Sequence, residues 1–364
     1  MDRSMDGKYC IVTGSNGGIG LQVARGLMQR GAHVVMACRN MAACEKVAAE
    51  LREEGLAGSC TCRPLDLESP SSIHAFARQQ AAELSGGGPQ EDDGSRGAAT
   101  GWSHDGRRRN IDVLVNNAGV MGVPPAADGS DRHLTVNHLG PYLLTRLLLP
   151  NMTHGSRIVN VASRAHYGGS LSLITGPSGG AEAVRNDTHH WWWQYARSKL
   201  CNVLFTAELQ RRYGYGSNYA SGCSGGGADA NTAARGADVS SGVRNSQSTT
   251  AGGGIGSPIS GGGIGAFAVS PGMVDTGIFR HLLPGWAQWL RAPLRPFVRS
   301  PQQGAEVVLF AAVSPELEGR EVLFLHDCQE MRPSAAARDA QLAADLWRVS
   351  AALVGQPEEG GIGG

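Results

Sequence analysis

An α/β fold, built as a single doubly wound parallel sheet with helices on both faces, is what this sequence predicts. Two observations carry that expectation. A glycine-rich turn from Gly14 to Gly20 joins a short apolar run to an amphipathic helical pattern. Short apolar runs and helical periodicities then recur along the chain, closing with a helical run over 334–354.

The first run, residues 8–13 (KYCIVT), reads as a buried strand. After the turn, Ile19, Val23, Leu27 and Met28 form the apolar stripe of a helix. Glycines at 14, 18 and 20 permit tight turning and close approach of the backbone to a pyrophosphate, with Ser15, Asn16 and Ile19 in the same turn. The helix start supplies free N–H groups and a positive dipole end for that anion. The spacing is G-x-x-x-G-x-G, not the general G-x-G-x-x-G fingerprint, and an ordinary strand-to-helix loop is the plainer alternative.

The strand over 32–38 (AHVVMAC) runs into Arg39 and Asn40. An acidic residue at this strand end accepts from a ribose 2′-hydroxyl in NAD-selective folds. Arg39 is a cation there, which suits a 2′-phosphate and favours NADP(H) over NAD(H). Further on, IDVLVNNAG from Ile111 reads as a strand and residues 132–149 as a helix. Pro141 in that helix cannot donate to the carbonyl four residues back, so the carbonyl of Asn137 is free to bind a water. Residues 301–313 read as an amphipathic helix, 321–328 as the last strand and 334–354 as the closing helix.

Tyr195 and Lys199 lie four residues apart in WWWQYARSKLCNVLF, one turn apart on one helix face. An ammonium beside a phenol stabilises the phenolate and lowers a pKa that is ordinarily about 10, making Tyr195 a general acid/base. Taken alone, the spacing also fits a solvated surface pair.

Taken together, these segments resemble the short-chain dehydrogenase/reductase family. TGSNGGIG from Thr13, LDL from Leu65, NNAG from Asn116, VNHLG from Val136, VNVAS from Val159, YARSK from Tyr195 and SPGMVDT from Ser270 match its motifs in order. ACRN from Ala37, SRAH from Ser163, SKLCNVLF from Ser198 and PSAAARDA from Pro333 place the resemblance in the retinol dehydrogenase-like group. The resemblance implies a Rossmann-type domain and a catalytic set of Asn137, Ser163, Tyr195 and Lys199. Tyr195 exchanges a proton with the substrate oxygen, Ser163 bonds that oxygen, Lys199 lowers the Tyr195 pKa and holds the nicotinamide ribose, and Asn137 holds a water. It also implies cofactor contacts at Asp66, Leu67, Asn117, Ala118, Gly119, Pro271, Gly272, Val274 and Thr276. Pairing of two copies through helices that include the Tyr195 helix is a further family habit.

The interval between Ser163 and Tyr195 is longer than usual for the family, and Gly168–His190 reads as a loop beside the site. Trp191, Trp192 and Trp193 follow it, as a wall for an apolar substrate or as helix packing. The stretch 280–299 mixes Leu, Trp and Phe with four arginines and reads first as a substrate lid, second as a peripheral membrane contact.

Residues 85–110 and 214–265 are low-complexity insertions expected to be disordered, within one domain over 1–355 followed by a frayed tail at 356–364. They account for much of the 52 glycines in 364 residues, about twice the usual share. A formal net charge of zero excludes a basic field for nucleic acid. Eight cysteines without C-x-x-C and eleven histidines without H-E-x-x-H predict reduced thiols and no metal. No leader, anchor or run of 18 apolar residues is seen, which points to the cytoplasm or another reducing compartment. The expected function is therefore NADP(H)-dependent oxidation or reduction of a lipophilic alcohol, aldehyde or ketone. The alternatives are a catalytically silent NADP(H)-sensing or scaffold protein, and a plastid pigment-pathway reductase.

Overall fold

The computed structural model describes residues 4–85, 110–175, 181–184, 190–215, 262–274 and 299–358. Both low-complexity stretches, apart from their ends, lie outside these residues, as do Thr276 and the 280–298 stretch. Strands β1 (Tyr9–Thr13), β2 (His33–Cys38) and β3 (Ser59–Pro64) alternate with helices α1 (Gly18–Gln29), α2 (Met41–Glu53) and α3 (Pro70–Leu84). There follow β4 (Ile111–Asn116), α4 (Arg132–Leu134), α5 (Gly140–Leu148), β5 (Met152–Val161), a small pair β6 (Leu173–Thr175) and β7 (Ala181–Val184), α6 (Trp191–Tyr213) and β8 (Gly265–Ser270). The chain ends in α7 (Pro301–Val313), β9 (Phe324–His326), β10 (Gln329–Glu330) and α8 (Ala340–Leu353).

The main sheet has the order β10-β9-β8-β5-β4-β1-β2-β3, parallel except for β10. Successive residues of a strand face opposite sides. Cys10 and Val12 pack with Val23 and Leu27 of α1, Leu51 of α2 and Val308 of α7. Tyr9 and Ile11 pack with Phe76 of α3, Leu144 of α5 and Phe205 of α6. Both faces are covered, which is why β1 and β8 are buried along their whole length. The connection leaving β1 takes one face and the one leaving β4 takes the other, so a crevice opens between the ends of these neighbours.

Four expected elements differ. The helix over 132–149 is broken: residues Thr135–Leu139 form a π turn, and the Gly140 N–H reaches back to the Thr135 carbonyl. The stretch read as a loop at 168–190 carries the antiparallel pair β6 and β7. The last strand is three residues long because the chain reverses at Asp327 and Cys328 into β10. The closing helix starts at Ala340, where the Asp339 side chain accepts from the Leu342 N–H.

The expectation that every cysteine is a reduced thiol is corrected. Cys44 on the first turn of α2 and Cys62 on β3 form a disulfide, with Cα atoms 6.1 Å apart. The reason is tertiary: α2 packs across β3 and brings together residues 18 apart in the chain. Cys10, Cys38, Cys60 and Cys201 are buried thiols. Among the described residues no helix is long and apolar enough to cross a membrane.

Closing a loop of this length stabilises a fold by about 3 kcal/mol in the chain-entropy account. Reduction, or Cys62→Ala, is expected to lower unfolding free energy by about that amount in urea titrations. Equal midpoints with and without reductant would show that the bond contributes nothing.

Candidate active site

The site begins at the turn after β1. Gly14 has φ +65° and Gly18 φ +55°, a left-handed region that favours glycine. A Cβ at Gly20 would lie 2.4 Å from the Gly14 carbonyl oxygen and 2.5 Å from Asn117 Nδ2, so nothing larger fits. The turn is fastened to β4. Asn117 Nδ2 donates to the carbonyls of Thr13 (2.8 Å) and Gly14 (3.2 Å). Thr13 Oγ1 accepts from the N–H groups of Asn117 and Ala118, both at 3.0 Å. Ser15 turns inward and donates to the Val12 carbonyl.

A cleft of about 670 Å³ runs across the strand ends. Gly14, Asn16, Gly18 and Ile19 line it, as do Arg39, Asp66, Leu67, Asn117, Ala118 and Gly119. At the far end stand Ser163, Tyr195, Lys199, Pro271, Gly272 and Val274. Ser15, Gly20 and Asn137 lie behind its wall; Thr276 lies outside the described residues. No side chain caps the start of α1, so its first N–H groups open onto the cleft. Free N–H groups at a helix start, with glycines beside them, suit a phosphate group.

Tyr195 and Lys199 are buried on one face of α6, with Lys199 Nζ 5.6 Å from the phenol ring centre. Lys199 Nζ donates to the Val161 carbonyl at 2.8 Å. Burial pushes the Tyr195 phenol up to about 12, opposed by a hydrogen bond with Ser163. Burial draws Lys199 down to about 8. The expected lowering of the phenol by Lys199 is not seen: desolvation dominates, and the interaction that opposes it is the Ser163 hydrogen bond.

Asn137 sits behind Lys199. Its side chain accepts from the Val120 N–H (2.7 Å) and donates to the Val120 carbonyl (3.0 Å) and Ser198 Oγ (2.9 Å). Gly119 leaves room for it: a Cβ there would be 3.1 Å from Asn137 Oδ1. The Asn137 backbone carbonyl, expected to take a water, instead faces Asn202. With that amide oriented by its neighbours, its nitrogen donates to the carbonyl at 2.6 Å.

Several groups at the site carried no sequence signal of their own. Glu68 lines the cleft beside Arg39, 3.3 Å from its NH1, and is also held by both Arg132 Nε and NH2. The Arg132 hydrogen bond holds the Glu68 carboxyl below its usual range. Asp131, buried, pairs with buried Arg197 at 2.8 Å and with His133, ahead of the π turn. His166 links two stretches that the sequence offers only as group markers. Its Nδ1 donates to the Ser163 carbonyl at 2.8 Å and its Nε2 accepts from the Ser334 N–H at 3.2 Å. Fold-scale proximity, not local pattern, makes these pairs.

A family model described as short chain dehydrogenase matches residues 8–87 and 103–174. Retinol dehydrogenase 11 of Homo sapiens is 32% identical over 358 residues, covering 97% of this chain and 87% of that protein. Retinol dehydrogenase 13 of Homo sapiens is 30% identical over 367 residues, covering 97% and 86%. The crystal structure of an uncharacterized protein from Mycobacterium Paratuberculosis aligns with a TM-score of 0.60 at 28% identity, covering 98% of this chain and 96% of that one. An angucycline C-6 ketoreductase with bound NADP aligns at 0.56 and 21% identity over 89% and 96%, a likeness of fold alone.

The two shifts at Tyr195 and Lys199 make stability depend on pH in opposite senses. Between about 8 and 10.5 the unfolded chain holds a proton on Lys199 that the folded chain has lost, so its unfavourable contribution is relieved as pH rises. Between 10 and about 12 the folded chain keeps the Tyr195 proton that the unfolded chain loses, and stability falls. Lys199→Met is expected to remove a rise on the order of 3 kcal/mol between pH 8 and 10.5. Denaturant midpoints against pH for both proteins check this; parallel profiles would remove Lys199 as the source.

Proposed function

The chain belongs to the short-chain dehydrogenase family, in its retinol dehydrogenase-like group, and we propose that it moves hydride between NADP(H) and a lipophilic alcohol, aldehyde or ketone. Its general chemistry is that of an NAD(P)-using oxidoreductase of alcohols and carbonyls. The observation that carries the finer reading is the meeting of Ser163, Tyr195 and Lys199 at one end of a cleft whose middle is a phosphate cradle.

The dinucleotide, when bound, supplies or accepts the hydride. The Tyr195 hydroxyl gives its proton to the substrate oxygen in reduction and recovers it in oxidation. Ser163 bonds the same oxygen and orients the carbonyl. A phenol at about 12 is protonated at neutral pH but is a weaker acid than a free one, so proton transfer in either direction depends on the Lys199 ammonium stabilising the phenolate. Asn137 holds the Val120 backbone and Ser198, which keeps the Lys199 turn of α6 in place.

Arg39 supports NADP(H). It is 65% exposed, and its pairing with Glu68 is the kind of surface contact worth about 0–1 kcal/mol. A 2′-phosphate displaces such a contact readily, because two-pronged Arg–phosphate bonds are stronger. Arg132 meanwhile keeps the Glu68 carboxylate engaged. An apolar substrate is supported by Trp192, which lines the cleft with its ring 6.2 Å from that of Tyr195, and by exposed Met273, which also lines it. The relatives are named for retinol, an alcohol of the same class. A silent sensor is disfavoured by the intact set of Asn137, Ser163, Tyr195 and Lys199.

Tyr195→Phe is expected to cut turnover by about 10²-fold or more while NADPH affinity stays unchanged. A variant of full activity would remove Tyr195 from the chemistry. Arg39→Gln is expected to raise the NADPH KM about tenfold or more and leave that for NADH nearly unchanged. Equal effects on both cofactors would refute the 2′-phosphate role.

A further inference from the structure

The turn between β9 and β10 is made of Asp327 and Cys328, with φ of +53° and +59°. Among the described residues these are the non-glycine positions with positive φ. Tight hairpins with left-handed central residues favour Asn-Gly or Gly-Gly, because a Cβ is strained there. Strain of this sort gathers at functional sites, and the inference runs from the outlier to the function.

Asp327 has a partner that explains its retention. Its two carboxylate oxygens accept from NH1 and NH2 of Arg299, the latter at 2.8 Å. Its second oxygen lies 3.6 Å from His326 Nε2. The Arg299 hydrogen bond first, then the charges of His326, Arg299 and Arg164, keep the carboxyl below its usual range. Arg299 in turn holds the cleft wall. Its N–H donates to the Met273 carbonyl at 2.8 Å, and it pairs with Val274 in an isolated parallel bridge. Its side chain lies on Gly272, where φ is +82° and a Cβ would be 3.1 Å from Arg299 Cδ. His326 Nδ1 donates to the Ser270 carbonyl at 3.0 Å, and Ser270 Oγ accepts from the N–H of Arg164, next to Ser163.

We infer that Asp327 is a positioning residue for the dinucleotide site: through Arg299 it fixes the Gly272–Val274 backbone that walls the Tyr195 end of the cleft. The inference rests on the reading of this cleft as a dinucleotide site. Stability alone is a weak account of the pair, since both side chains are more than a third exposed and such ion pairs contribute little to folding.

The test compares wild type with Asp327→Gly, Asp327→Asn, Cys328→Gly and Arg299→Lys, reading NADPH and NADH Kd by fluorescence titration and Tm of the free protein. Cys328→Gly relieves strain and keeps the carboxylate, so Tm holds or rises and Kd is unchanged. Asp327→Gly relieves strain but loses the carboxylate, so Tm holds while Kd rises about fivefold or more for both dinucleotides. Asp327→Asn, which tolerates the left-handed turn, weakens binding likewise. Arg299→Lys keeps the charge but loses the planar fork, with a smaller effect in the same direction. Unchanged Kd in both Asp327 variants overturns the inference, as does a fall in Tm that accompanies every loss of affinity. Wild type that binds neither dinucleotide would instead overturn the reading of the cleft.

Discussion

The bond between the Asn117 amide and the carbonyls of Thr13 and Gly14 is the joint from which the rest of the site is built. It ties the end of β1 to the end of β4 where the chain's connections part to opposite faces of the sheet. Without it the glycine turn would have no fixed height above the sheet. Returning bonds from the Asn117 and Ala118 N–H groups to Thr13 Oγ1 make the joint reciprocal. Asn117 is thereby spent on the backbone, and its place in the cleft is that of a strut.

Beneath this joint lies a second polar layer. Asn116 Nδ2 donates to Thr145 Oγ1 and to Asn160 Oδ1, and Asn160 Nδ2 donates to Thr206 Oγ1. These buried bonds join β4, β5, α5 and α6; α5 follows Asn137, β5 precedes Ser163 and α6 carries Tyr195. Buried polar groups are costly unless satisfied, and the side-chain groups of this layer other than Asn116 Oδ1 have partners, which favours a single packing. The register of α6 against the sheet is therefore set by hydrogen bonds as well as by shape.

Much of this was legible in the sequence because it is local. The glycine turn, the strands at 8–13 and 32–38 and the helix at 301–313 each declare themselves within a dozen residues. The cleft brings Ser163, Tyr195, Lys199 and the Pro271–Val274 wall together as the motif order implies. What was not legible depends on distance in the chain. Cys44 meets Cys62, Glu68 meets Arg132 and His166 meets Ser334 only once the layers stack. Nor could spacing reveal that burial raises the Tyr195 phenol, since desolvation is a property of the packed site.

The π turn over Thr135–Leu139 has a geometric consequence. Each α-helical residue advances about 100° around the axis, so one additional residue in a turn rotates everything after it by that angle. Ahead of the turn, Leu134 faces Leu200 and Leu204 of α6; beyond it, Leu143 and Leu144 face the layer that holds α3. The turn is a phase shifter between two packing surfaces, and Asn137 sits at its midpoint. A deletion of one residue there would leave a better α-helix and a chain whose two halves could no longer both be in phase with their neighbours.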